Sequence, residues 1–221
     1  QRSATFRRKE LSAMLYDQHT KNSADTWLDE LVRNGRRCPR RNVLMKPNPE
    51  QVTVLKDILS RCKVEAEFEQ GRLTARQREK MSEPMRSLVQ GVPGAGKSQL
   101  MKWIRAFFEE VLGWTHGVEF VFIASMNTMA ALIGGMTIHS FGGILVDKAQ
   151  RAKKKGECWA KPDLDPMYER NKYLRWIMID EGSTASAEIL NMLDCNITTA
   201  TRDEEAGKGY KVRRNNEVRP F

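Results

Sequence analysis

The stretch "LVQGVPGAGKSQLMKW" (88–103) constrains this chain more than any other, because it gathers glycines and a proline between two apolar flanks. Glycine inside a helix or strand costs about 0.5–1 kcal/mol relative to alanine, so the cluster marks backbone that must bend sharply or lie close to a ligand. Gly91, Gly96, Lys97 and Ser98 fit G-x-x-x-x-G-K-[S/T], the spacing of a phosphate-binding loop. The chemistry accounts for each residue type. Backbone N–H groups at Gly94 and Gly96 can curl around a phosphate as an anion nest, with no side chain in the way. A helix opening near Lys97 turns its positive end to the same place. Lys97 is placed to reach the β- and γ-phosphates, and the Ser98 hydroxyl to take one position on Mg²⁺. Gly91, Gly94, Ala95, Gly96, Lys97, Ser98 and Gln99 form the candidate nucleotide-binding set, with ATP and Mg²⁺ as the expected cofactors.

The flanks carry the pattern further. "RSLVQ" (86–90) predicts a short buried strand before the loop, and "SQLMKWIRAFFEEVL" (98–112) places Leu100, Ile104, Phe107, Phe108 and Val111 at helical spacing. "VEFVFIAS" (118–125) is the apolar kind of strand that parallel sheets bury, and "NTMAALIGG" (127–135) reads as a helical turn ending at its two glycines. "LRWIMIDE" (174–181) predicts another buried strand, followed by a helix beginning in "SAEILNMLDCN" (186–196). Strands alternating with helices predict an α/β fold with a parallel sheet flanked by helices. Ligands in such sheets bind at the carboxyl ends of strands.

At one of those ends stands an acid pair. Asp180 is the candidate for holding Mg²⁺ opposite Ser98, and Glu181 for orienting or deprotonating an attacking water. With Lys97 they make the candidate catalytic set, and the acid pair points to hydrolysis rather than to binding alone.

Charge suggests the partner. Lys and Arg number 37 against 28 Asp and Glu, a formal net charge of +9 in 221 residues, which favours an anionic partner such as nucleic acid. The basic residues cluster in "RRK" (7–9), "RNGRRCPRR" (33–41), "KKK" (153–155) and "KGYKVRR" (208–214). Cys38, Cys62, Cys158 and Cys195 form no C-x-x-C pair, so neither a zinc site nor a disulfide framework is expected. No apolar run approaches the roughly 20 residues of a membrane span. Gln1 stands where a start methionine would, so the true N-terminus is expected upstream and a targeting signal cannot be read.

Residues 1–42 read as an accessory helical and basic segment ahead of an ATPase lobe over 43–221. "FRRKELSAMLYDQ" and "SADTWLDELVRN" predict two short amphipathic helices, the second with Ser23 as N-cap. A helix from about Glu50 sets Val52, Leu55, Ile58 and Leu59 on one face, while "TARQREKMSEP" (74–84) and "RAKKKGECWAKPDLDP" (151–166) read as charged connecting stretches.

"ASMNTMAALIGGMTIHSFGGI" (124–144) is not explained by nucleotide chemistry. Its Ala130, Ala131, Gly134, Gly135, Thr137, His139, Ser140 and Phe141 match A-P-T-G-x-A-A followed by G-G-x-T-x-H-S-F. This resembles the second conserved motif of the petite-integration-frequency (PIF-one) DNA helicases, superfamily one enzymes near RecD. "NPEQ" (48–51) resembles that family's adenine motif, "DEGSTAS" (180–186) its D-E-x-S-M-x-S, and "RPF" (219–221) the lead into its next motif. The likeness spans about residues 44–221. Met126, Asn127 and Thr128 depart from Pro-Thr-Gly, and Gly182 and Thr184 from apolar residues.

The resemblance implies a RecA-like lobe in which Gln51 reads adenine and Thr137, His139 and Ser140 contact the backbone of single-stranded or forked DNA. It also implies a second RecA-like lobe in a longer parent, of which this chain is the first. That parent would be a nuclear or mitochondrial enzyme of DNA repair, recombination and telomere maintenance, or a Helitron-type transposon protein. The isolated lobe is expected not to unwind DNA. Two other readings stay open: a P-loop ATPase of another class, such as an AAA-type motor, and a non-catalytic DNA-binding remnant of a transposon helicase.

Overall fold

The computed structural model describes residues 24–38, 42–69, 85–144, 167 and 173–201, in two compact units that divide at Gly113 and Trp114. The first unit opens with α1 (Ala24–Asn34), the predicted amphipathic helix, which buries Trp27, Leu28 and Leu31. Ser23, the expected cap, lies outside the described residues, as do the first predicted helix, Cys158, both charged connecting stretches (Pro84 included) and the basic clusters at 7–9, 153–155 and 208–214. A short antiparallel ribbon follows, β1 (Arg36–Arg37) paired with β2 (Leu44–Met45). Then comes α2 (Pro49–Glu69), whose Leu55, Ile58 and Leu59 are buried as the periodicity predicts.

The helix after the glycine loop, α3 (Lys97–Ala106), does not continue as a plain α-helix. Phe107–Val111 form a π turn, closed by the Leu112 N–H donating to the Phe107 carbonyl at 3.3 Å. Phe107 and Phe108 are both fully buried, as their i+3 and i+4 spacing from Ile104 expects. Trp27 packs on Phe107 at 5.3 Å between ring centroids.

One strand expectation fails. Residues 85–92 form no strand, and Leu88 is 79% exposed. "RSLVQ" holds only two large apolar residues among Arg86, Ser87 and Gln90, too little surface to secure a place in a core by itself.

The second unit is built on a parallel sheet in the order β4-β3-β5. β3 (Phe120–Ala124) is buried at every position. β4 (Met136–Thr137) and β5 (Trp176–Asp180) lie on either side of it, and β5 is half-buried rather than fully buried, with Ile179 exposed. Between β3 and β4 runs α4 (Asn127–Ile133), ended by Gly134 at φ 62°. A Cβ on Gly135 would stand 2.8 Å from the Phe122 carbonyl carbon, so only glycine lets this turn lie against β3. After β4 come α5 (Ile138–Gly142) and later α6 (Ala187–Thr201). Val121 and Ile123 face Ile138, Phe141, Leu193 and Ile197 in one apolar cluster, which fixes both helices on the sheet. On the opposite face the His116 ring stacks on Phe122, and its Nε2 accepts the Phe122 N–H at 3.0 Å. Among the described residues the fold is therefore mixed α/β, with a three-stranded parallel sheet flanked by helices.

Candidate functional site

In the first unit the glycine loop is assembled around Gln51. "NPEQ" makes a capping box: the Gln51 N–H donates to Asn48 Oδ1 at 2.8 Å, and the Asn48 N–H donates to Gln51 Oε1 at 2.9 Å. Pro49 stands at the first helical position, where a missing N–H costs nothing. The other end of the same amide reaches the loop, since Nε2 donates to the carbonyls of Ala95 and Gly96 at 3.3 and 3.2 Å. The group that the resemblance assigns to adenine is thus bonded to protein at both ends.

The loop has the backbone its chemistry requires. Gly94 and Gly96 adopt φ 86° and 84°. Gly96 is the N-cap of α3 and brings no side-chain oxygen, so the first-turn amides of Lys97 and Ser98 are left for an outside acceptor. Lys97 Nζ curls back to the Gly91 carbonyl at 2.8 Å. Ser98 is exposed, and Gln99 is half-buried with its N–H on the Gly96 carbonyl at 3.0 Å. These donors suit an anion such as a polyphosphate.

In the second unit the remaining candidates collect at the carboxyl ends of the strands. Thr137 of β4 and Asp180 of β5 both register with Ala124 of β3. Asp180 is half-buried, and its Oδ1 accepts the Glu181 N–H at 3.1 Å, leaving Oδ2 for another partner. Glu181 is exposed and holds a left-handed backbone at φ 50°. Thr137 Oγ1 caps α5 by accepting the Ser140 N–H at 3.1 Å. His139 is half-buried and Ser140 exposed, one turn along the same edge. Among the described residues no group of three or more His, Cys, Asp or Glu is placed to hold a metal ion by itself. A cation here would need hydroxyl and phosphate oxygens beside the carboxylate, which is how Mg²⁺ is held with nucleotides.

No family model, curated protein or solved structure matches this chain.

The basic cluster at 33–41 takes a structural part in its described residues. Arg36 donates to Glu110 Oε1 at 2.6 Å and Oε2 at 2.5 Å, and lies over the Trp27 ring at 5.3 Å. The Arg36 guanidinium holds the Glu110 carboxyl below its ordinary value against the opposing effect of partial burial. Arg37 donates to Asn42 at 3.0 Å, and Lys46 donates to the Arg33 carbonyl. Two features escaped sequence reading. The Asn48–Gln51 capping box has a local signal that could have found it, since N-P-E-Q sets a capping asparagine three residues before a glutamine. Ser125 and Thr184, whose hydroxyls meet beside the acid pair, carry no local signal. Among the described residues no helix is long and apolar enough to cross a membrane.

Proposed function

We propose that this chain is the first RecA-like lobe of an ATP-dependent DNA helicase of the PIF-one type. The observation that carries the reading is the loop itself: G-x-x-x-x-G-K-S with left-handed glycines, ending in a helix whose first amides lack an internal acceptor. Lys97 exchanges the Gly91 carbonyl for phosphate oxygens, and Gln51 braces the loop from behind through Ala95 and Gly96. Ser98 in the first unit and Asp180 in the second are each a residue that would offer Mg²⁺ an oxygen, and the ion would neutralise phosphate charge. Glu181 orients or deprotonates water. Thr137, His139 and Ser140, on the sheet's carboxyl edge, take the backbone of single-stranded DNA, a contact that positions without reading sequence.

Titration with a fluorescent ATP analogue in Mg²⁺ tests the nucleotide half. Lys97→Ala loses a charged hydrogen bond to phosphate, worth about 1.5–3 kcal/mol, so affinity falls roughly tenfold or more. Asp180→Asn weakens the dependence on Mg²⁺ while leaving metal-free binding in place. Equal affinity in Lys97→Ala and the parent chain sinks the assignment.

A further inference from the structure

Glu181 is the only non-glycine residue besides Asn42 to take positive φ among the described residues, and it is the residue to which the proposed function assigns water. Such a conformation persists only where the surroundings over-determine it. Here the surroundings can be named. The Glu181 N–H is held by Asp180 Oδ1 at 3.1 Å. Its carbonyl accepts two bonds from Thr184, the N–H at 2.9 Å and the hydroxyl at 2.7 Å. Thr184 Oγ1 also meets Ser125 Oγ, the first residue beyond β3. A hydroxyl has one proton to give. Thr184 gives its own to the Glu181 carbonyl, so Ser125 must donate to Thr184. The bonds therefore run in one direction, from Ser125 through Thr184 to Glu181.

We infer that Ser125 and Thr184 are positioning residues for Glu181, fixing its backbone and tying it to the turn between β3 and α4. The link joins two strand tips that the sheet already sets level, since Ala124 registers with Asp180. A chain of aligned hydroxyls is directional, so a displacement of the Ser125 turn is felt at the Glu181 carbonyl. Thr184 stands where the D-E-x-S-M-x-S pattern has an apolar side chain with no proton to give, so the device belongs to this sequence rather than to the pattern. The inference rests on the ATPase reading for its catalytic consequence but not for the link itself.

Two measurements separate those. Amide hydrogen exchange on the whole chain reads the turn directly. Thr184→Val, which keeps the shape and loses both hydroxyl bonds, speeds exchange at Glu181, Thr184 and Ala185 about tenfold, while β3 amides are unchanged. Thr184→Ser restores the parent rates, and Ser125→Ala gives a smaller increase because the Thr184 bond to the carbonyl survives. ATP turnover, read in the longer parent that carries the second lobe and above its Lys97→Ala background, falls about tenfold in kcat for Thr184→Val with KM unaltered, and Thr184→Ser recovers it. Unchanged exchange in Thr184→Val, or failure of serine to rescue, overturns the link. Altered exchange with unaltered kcat overturns the positioning role. Loss of the exchange effect and loss of the Lys97 effect are independent results, so failure of the ATPase reading is recognised by itself.

Discussion

Gly96 and Glu181 share a left-handed backbone, at φ 84° and 50°, yet only the glutamate is strained by it. A Cβ in this region crowds the carbonyl oxygen and costs about 1–2 kcal/mol, which glycine avoids. Exchanging the residue types should therefore move stability in opposite directions. Glu181→Gly removes the strain and adds about 0.4–1 kcal/mol of unfolded-state entropy, for a net gain of up to about 1.5 kcal/mol in urea unfolding, with hydrolysis lost. Glu181→Ala, which keeps a Cβ, shows no such gain. Gly96→Ala goes the other way by about 1–2 kcal/mol, because the new methyl is strained and stands 2.6 Å from Gln51 Nε2. A destabilised Glu181→Gly chain would show that the turn is not strained. Nothing in the residue string marks Glu181 for this conformation. The acid pair was legible as the end of an apolar strand, but its left-handed turn is held by the local bonds of Asp180 and Thr184 together with Ser125, which only the folded chain brings to Thr184.

Among the elements, those with a long apolar period were legible and those held by a few contacts were not. α1, α2 and β3 follow their patterns, since each buries three or more large side chains. The π turn at 107–111 was hidden because Phe107, Phe108 and Val111 satisfy a helical period well enough on paper. "RSLVQ" misled for the opposite reason, as a strand inferred from its place before a loop rather than from its own apolar content. The ion pair beside the π turn gives this scale its test. Arg36 holds the Glu110 carboxyl below its ordinary value of 4.5, so the folded chain is stabilised above that pH and loses the contribution as pH falls through the lowered value. Both partners are partly exposed, so the effect is small, less than about 1 kcal/mol. Thermal unfolding followed from pH 6 to pH 3 should show a component of acid destabilisation that Glu110→Gln lacks. If both chains lose stability in parallel over that range, the pair contributes nothing.

At the scale of the whole molecule, charge and motif separate. Residues 1–113 carry 22 Lys and Arg against 14 Asp and Glu, and residues 114–221 carry the remaining 15 against 14, so nearly all of the +9 belongs to the first unit. The residues proposed to touch DNA, Thr137, His139 and Ser140, lie in the other unit, which is close to neutral. Salt and mutation therefore probe different parts of one binding reaction. Lysines and arginines that neutralise phosphates release counterions, which sets the slope of affinity against salt at about −0.7 per contact on single strands. With about four such contacts, affinity for a labelled single-stranded oligonucleotide falls about 50-fold between about 50 and 200 mM salt. His139→Ala with Ser140→Ala removes none of the formal charge at pH 7 and leaves Thr137 in place to cap α5. That double variant should weaken binding by a constant factor at every salt concentration, giving a line parallel to the parent's in fluorescence anisotropy. Coincident lines mean that the basic residues carry the contact alone and the strand-tip motif does not touch DNA. A changed slope means that the substitutions have displaced charged residues, and the unit carrying the motif is then not independent of the charge.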